Sequence, residues 1–249
     1  MLPVPALALL AGLISIPQVS AHGYVTGITV GGTYHGGWLA DRYPYIPNPP
    51  DVVGWSTTVT DNGFVSPDQF SSDAIVCHRG AAPGAIAATV SAGSTVSLHW
   101  NTWPESHHGP VIEYMAPVSG DWSSINKGSL RWVKTAERGL ISGSNPGFWA
   151  TDQLIANNNT WTTTIPGNLA PGRYVLRHEL IALHSAGNAN GAQSYPQCVN
   201  LEVTGGGGSR PGGGVSATSF YRANDPGILF NLYGQFSSYP MPGPALWRG

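Results

Sequence analysis

With 249 residues, the chain is long enough for one sizeable core or two small ones. Its formal net charge of −2, with only 10% charged residues, leaves no basic field to hold nucleic acid or an anionic membrane. The 33 glycines and 21 prolines, without a long helical period, point to many turns between short strands.

The first 21 residues read as a secretory signal. An apolar run, Ala6 to Ile16, is followed by Pro17 and then by the small-x-small triplet Val19-Ser20-Ala21. The run is too short to anchor in a bilayer, and the n-region carries no Lys or Arg, so only the initiator amine supplies its positive charge. Cleavage after Ala21 is expected, giving a secreted, extracellular chain without a membrane partner and with His22 as its first residue.

From Gly31 to Trp55 the chain is rich in proline and aromatics (Tyr34, Trp38, Tyr43, Tyr45, Trp55) and shows no clear period. A loop this long in a compact domain is usually functional. The only two cysteines, Cys77 and Cys198, are expected to form a disulfide in an exported protein. Paired metal-binding thiols are the rival, but no local CxxC supports them. From Gly93 onward alternation becomes legible in Ser94 to Trp100, Trp161 to Ile165, Tyr174 to Ala182 and Val199 to Val203. Such period-two runs between Gly, Pro and Asn turns suit half-buried antiparallel strands and predict an all-β sandwich of the immunoglobulin or fibronectin kind. Asn158-Asn159-Thr160 is a glycosylation sequon at Asn158. The Gly-rich stretch 205–214 resembles a linker, but 215–249 holds no cysteine to staple so small a fold. One catalytic domain over 22–249 is therefore expected, its last segment packed back on the sandwich.

Acid/base hydrolysis needs two paired carboxylates, and the thirteen acids offer no marked pair. Glu105 and Glu113 straddle a histidine segment, but solvated positions are expected for both. Among the eight histidines (His22, His35, His78, His99, His107, His108, His178 and His184), His22 stands apart. Signal cleavage would give it an α-amine and an imidazole nitrogen in one chelate ring. An α-amine with a pKa of roughly 8 yields its proton readily to a metal. A second imidazole would complete three nitrogens, and planar nitrogen donors favour copper(II). The second ligand is sought in Trp103-Pro104-Glu105-Ser106-His107-His108-Gly109-Pro110-Val111, where adjacent histidines face opposite ways and only one can point at the metal.

Mature His22-Gly23-Tyr24-Val25, the SHHGPV segment and Gln193-Ser194-Tyr195-Pro196-Gln197-Cys198 together resemble the fungal lytic polysaccharide monooxygenases of auxiliary-activity family 9. The resemblance extends through Ile75-Val76-Cys77-His78, Leu176-Arg177-His178-Glu179, Ala182-Leu183-His184-Ser185 and Asp225-Pro226-Gly227-Ile228-Leu229-Phe230-Asn231, across essentially the whole mature chain. A further disulfide present in some relatives is missing here.

That resemblance implies one copper ion per chain, bound by the amine and ring of His22 and by His107, with Tyr195 axial. It implies an outer shell of Gln193 and His184 that hydrogen-bonds the oxygen being activated and steers its protonation. Gln193 and Tyr195 alternate on one strand face, as reaching one site requires. Substrate contact falls to Tyr24 and Tyr239 on a flat copper-bearing face built of long loops. The implied reaction is oxidative cleavage of β-1,4-glycosidic bonds in cellulose, with related β-glucans and hemicellulose as further substrates. Hydroxylation falls at C1 and/or C4, using O₂ or H₂O₂ and an external electron donor, and the enzyme is expected to act as a monomer. A copper carrier using the same nitrogens and a non-catalytic polysaccharide-binding module are the competing readings.

Overall fold

The computed structural model describes residues 22–249. The signal segment expected over 1–21 lies outside the described residues. The order begins with β1 (Val25–Val30), β2 (Thr33–Gly36), the short helix α1 (Ala74–Cys77), β3 (Ala88–Ser91), β4 (Thr95–Trp100) and β5 (Val111–Val118). It continues with β6 (Val133–Arg138), β7 (Leu140–Ser142), β8 (Phe148–Trp149) and helix α2 (Ala150–Ala156). It ends with β9 (Thr160–Thr164), β10 (Gly172–Ala182) and β11 (Gln193–Thr204).

Two sheets form the sandwich, one ordered β2-β1-β4-β9 and the other β3-β11-β10-β5-β6, beside a small β7-β8 hairpin. β4 alternates as its sequence predicts, turning Val96, Leu98 and Trp100 inward while Thr95 and Ser97 face out. These side chains meet Leu176, Leu180, Val199 and Leu201 of the other sheet in one buried cluster. Each such fully buried aliphatic side chain contributes roughly 1.5–3 kcal/mol. One pairing departs from the antiparallel expectation: β3 runs parallel to β11. More than a hundred residues separate the two strands, so no hairpin dictates their direction.

β10 is not half-buried. It is buried continuously from Tyr174 to Ala182, because its outer face is also covered. Ile75 of α1, Trp149 of β8, and Phe70, Trp132, Phe220 and Tyr221 from loops and the C-terminal segment form a second core there with Tyr114 and Val175. Two charges are trapped beneath that cover. Arg177 Nη1 and Nη2 reach both carboxylate oxygens of Glu179 at 2.7 and 3.0 Å, and Ser194 and Tyr221 donate their hydroxyls to the same carboxylate. A pair so fully satisfied is tolerated in the interior, whereas removing one partner costs roughly 3–5 kcal/mol.

Cys77 and Cys198 are disulfide-bonded with Cα atoms 5.4 Å apart, tying α1 to β11. The C-terminal segment returns across the sheet: Val215 bridges Trp132, Trp247 N donates to Lys134 O, and buried Lys134 Nζ donates to Pro242 O at 2.7 Å.

Candidate metal centre

His22 enters the structure just ahead of β1, and its neighbours hold it down. Tyr24 N donates to Asn101 Oδ1 at 2.9 Å, Asn101 N returns a bond to Tyr24 O, and Val25 N donates to Gln197 Oε1 at 3.2 Å. A Cβ at position 23 would overlap the Thr102 carbonyl, so only glycine lets the chain start pass this close to the β4–β5 loop.

That anchoring brings the His22 ring to 5.3 Å from the His107 ring, centroid to centroid, and to 5.5 Å from Tyr195. His107 is buried, and its ring stacks on His184 at 3.9 Å. Trp103 sets the loop carrying His107 by donating its indole N–H to the His107 carbonyl at 2.9 Å. Its ring meets Tyr195 edge-on at 5.0 Å. Tyr195 donates its hydroxyl to Gln193 Oε1 at 2.7 Å, and the His22 ring also hydrogen-bonds Gln193. The structure thus gathers His22, His107, His184, Gln193 and Tyr195 at one end of the sandwich.

Burial governs the protonation of the site. It pushes the His107 ring down to about 3, and the imidazoles of His184, His22 and His108 act in the same direction. Burial lowers His22 and His184 as well, and raises the Tyr195 phenol far above its ordinary value. Near neutral pH the centre therefore holds neutral imidazoles and a neutral phenol. His107 Nδ1 lies 3.1 Å from Ser106 Oγ, while its Nε2 is buried with no hydrogen-bond partner. An Nδ1–H given to Ser106 leaves the Nε2 lone pair unused, which is the state a metal requires. Among the described residues no three His, Cys, Asp or Glu side chains are placed to hold a metal. The set here is two imidazoles and the main-chain nitrogen of residue 22, and nitrogen donors of this kind fit copper.

His108 does not compete for this position. Its Nδ1 is committed to Asp152 Oδ1 at 2.7 Å. Glu105 is exposed as expected, but Glu113 is not solvated: it is buried within the sandwich, 2.7 Å from His178 Nδ1. The strand pleat points it inward, and His178 is held in turn by the Trp100 indole N–H at 2.9 Å.

Of the two tyrosines expected to stack on substrate, Tyr24 is covered and Tyr239 is partly buried. Tyr24 is only 7% exposed, its hydroxyl donated to Asp41 at 2.6 Å, because the loop after Gly37 folds over it. Tyr239 is packed edge-on against Trp149 and Phe230 and donates to the Gly227 carbonyl. The most exposed tyrosine rings are Tyr45, at 68%, Tyr34, at 57% on β2, and Tyr233, at 56%. Tyr45 lies on the loop fastened to Tyr24 through Asp41. Tyr233 lies on the turn fastened to Ala186 by Phe230 N, two residues beyond His184.

Phe64 also went unnoticed in the sequence. Its ring lies 5.9 Å from His22 and 6.1 Å from Tyr195. It is carried there by the paired bonds between Val65 and Ser194 on the edge of β11. Asn158 is exposed in the turn between α2 and β9, with φ +53. Among the described residues no helix is long and apolar enough to cross a membrane.

Residues 22–239 match the model of Auxiliary Activity family 9 (formerly GH61). The chain is 64% identical to AA9 family lytic polysaccharide monooxygenase F of Malbranchea cinnamomea, over 96% of this chain and 97% of that one. It is 56% identical to AA9 family lytic polysaccharide monooxygenase A of Thermoascus aurantiacus, over 92% of this chain and all of the other. Among solved structures, the extended catalytic domain of H. jecorina LPMO9A superposes with a TM-score of 0.88 at 47% identity, covering 92% of each chain. A cellulose-active polysaccharide monooxygenase from M. thermophila gives 0.78 at 32% identity, covering 92% of this chain and all of that one. The chain therefore belongs to auxiliary-activity family 9, the lytic polysaccharide monooxygenases, copper-dependent oxidoreductases that cleave polysaccharides oxidatively.

Proposed function

We propose that this chain is secreted, loses residues 1–21, and works as a single monomeric catalytic domain over 22–249 that cleaves β-1,4-glucan, cellulose above all. The α-amine and ring of His22 and Nε2 of His107 would hold one copper ion, with the Tyr195 hydroxyl beside it. One observation carries this reading: the buried, unpartnered Nε2 of His107 on a ring facing His22.

When bound and reduced by an external donor, copper supplies the one-electron chemistry that activates O₂ or H₂O₂ for hydrogen abstraction beside the glycosidic bond. Hydroxylation at C1 and/or C4 then makes that bond eliminate, so no carboxylate pair is needed. The protein's own groups fix orientation and protons. Tyr195 commits its proton to Gln193 Oε1, so the Gln193 amide is held in one orientation with its NH₂ available to donate. Burial keeps His184 neutral and stacked on His107, where it adds no cationic charge to the centre. Trp103, Phe64 and the buried Tyr195 ring exclude water from the inner side of the site.

Polysaccharide contact is assigned to Tyr45 and Tyr233, whose exposed rings sit on two loops tied to Tyr24 and to Ala186, each two residues in sequence from a histidine of the centre. The cellulose activity of the M. thermophila relative supports the choice of substrate. Asn158, exposed on its turn, is the site proposed for an N-linked glycan.

The test is mass spectrometry of products from cellulose incubated with the mature protein, copper and a reductant. Oxidised cello-oligosaccharides that disappear without reductant are expected. Products from other glucans but never from cellulose would overturn the substrate assignment.

A further inference from the structure

The segment that carries His107 is gripped from the side by a helix that contributes nothing to the metal centre itself. His108 Nδ1 lies 2.7 Å from Asp152 Oδ1, and the other oxygen of that carboxylate accepts the Trp149 main-chain N–H at 2.7 Å. Next to it, Gly109 N donates to the Thr151 hydroxyl at 2.9 Å, and Thr151 N donates back to Gly109 O at 3.3 Å. Thr151 is fully buried, and the Asp152 side chain is only 14% exposed. On the opposite side, Leu183 N donates to His108 O at 2.9 Å, one residue before His184. The two residues after His107 are thus fixed between α2 and the end of β10.

We propose that Asp152, with Thr151 beside it, is a positioning residue for His107. The Asp152–His108 bond sets the rotation of the backbone that aims His107 Nε2 toward His22 and keeps its ring stacked on His184. The physical reason is local. His107 and His108 share one peptide unit, so a rotation of the backbone that turns His107 away from His22 also draws His108 off Asp152. Asp152 in turn cannot shift freely, since its second oxygen holds the start of α2.

The proposal rests on His107 as a metal ligand for its consequence, but its structural part is testable without metal. In the metal-free protein, NMR of histidine ring nitrogens should give one sharp His107 signal for the parent chain. Asp152→Ala should exchange-broaden or shift that signal, and Asp152→Asn, which keeps a polar group of the same shape, should restore it. Copper titration followed by calorimetry then reads the consequence. Asp152→Ala and His108→Ala should each weaken affinity by roughly 10- to 100-fold, the usual effect of removing a ligand's supporting partner. The double variant should be no worse than either single one. A changed copper EPR spectrum in Asp152→Ala, with circular dichroism unchanged, would exclude simple misfolding as the cause.

An unaltered His107 ring signal in Asp152→Ala overturns the proposal, as does additive loss in the double variant. If the parent chain binds no copper but its His107 signal still depends on Asp152, the clasp stands and the metal assignment falls.

Discussion

The Tyr195 hydroxyl donates to Gln193 Oε1 across 2.7 Å, from two residues that alternate on one face of β11. Burial keeps that phenol protonated, so the bond has a fixed direction and orients the Gln193 amide. Gln193→Leu leaves the buried hydroxyl without an acceptor, at a cost of about 1–3 kcal/mol, and removes the amide that faces the centre. Gln193 supplies no nitrogen to the metal but holds the His22 ring, so copper affinity should fall by about 10-fold, the low end for a ligand's lost partner. Turnover should fall roughly 10²-fold, the scale of one lost proton-steering group. Parallel copper titrations and product assays separate the two; unchanged turnover would remove Gln193 from the chemistry.

The exposed tyrosines make a second contrast. Tyr45→Ala and Tyr233→Ala should each weaken adsorption to cellulose several-fold, in line with about 0.5–1.5 kcal/mol for one aromatic contact. Tyr24→Phe removes only the hydroxyl bonded to Asp41 and should leave adsorption unchanged. Binding isotherms on insoluble cellulose distinguish them, and the reverse order of effects would return the contact role to Tyr24.

His78 links stability to pH. Its Nε2 lies 2.9 Å from Gly63 O, and its Nδ1 accepts the Arg79 main-chain N–H at 2.9 Å, so the ring fits only as the neutral form. Burial, helped by the Arg79 charge, holds it down to about 4, against 6.5 for an ordinary histidine. Between these values the unfolded chain binds more protons than the folded one. The stabilisation is therefore complete above pH 6.5 and is lost as pH falls toward 4, amounting to about 3 kcal/mol. Denaturant unfolding at several pH values should show a shallower decline for His78→Asn than for the parent. Parallel declines would contradict this role.

Local pattern carried part of this far and no further. β4 was legible because one of its faces is polar, and alternation marks it. β5 is buried on both faces and β1 holds Gly27 in its interior, so neither shows a clean period of two; β10 was legible as a strand from its alternation, but the cover over its second face was not. His22, His107, His184, Gln193 and Tyr195 were accessible through a leader cleavage site and family motifs, and the fold gathers them. Phe64 was not, because its place depends on the long-range pairing of Val65 with Ser194 rather than on its turn-like surroundings. Residue type alone likewise does not distinguish Tyr24, covered through Asp41, from the open Tyr45, nor a solvated Glu105 from a buried Glu113. Coverage by distant chain decides these cases.

The central claim is that signal removal creates the metal site by freeing the main-chain nitrogen of His22. It is tested most directly by calorimetric copper(II) titration of two chains that both begin at His22, one with its terminal amine free and one with that amine acetylated. An amine of pKa roughly 8 can give its lone pair to copper, whereas acetylation draws that lone pair into the amide and leaves no terminal amine to anchor the metal. The account expects tight one-to-one binding by the first chain and its loss in the second. Equal affinity in the two would contradict it.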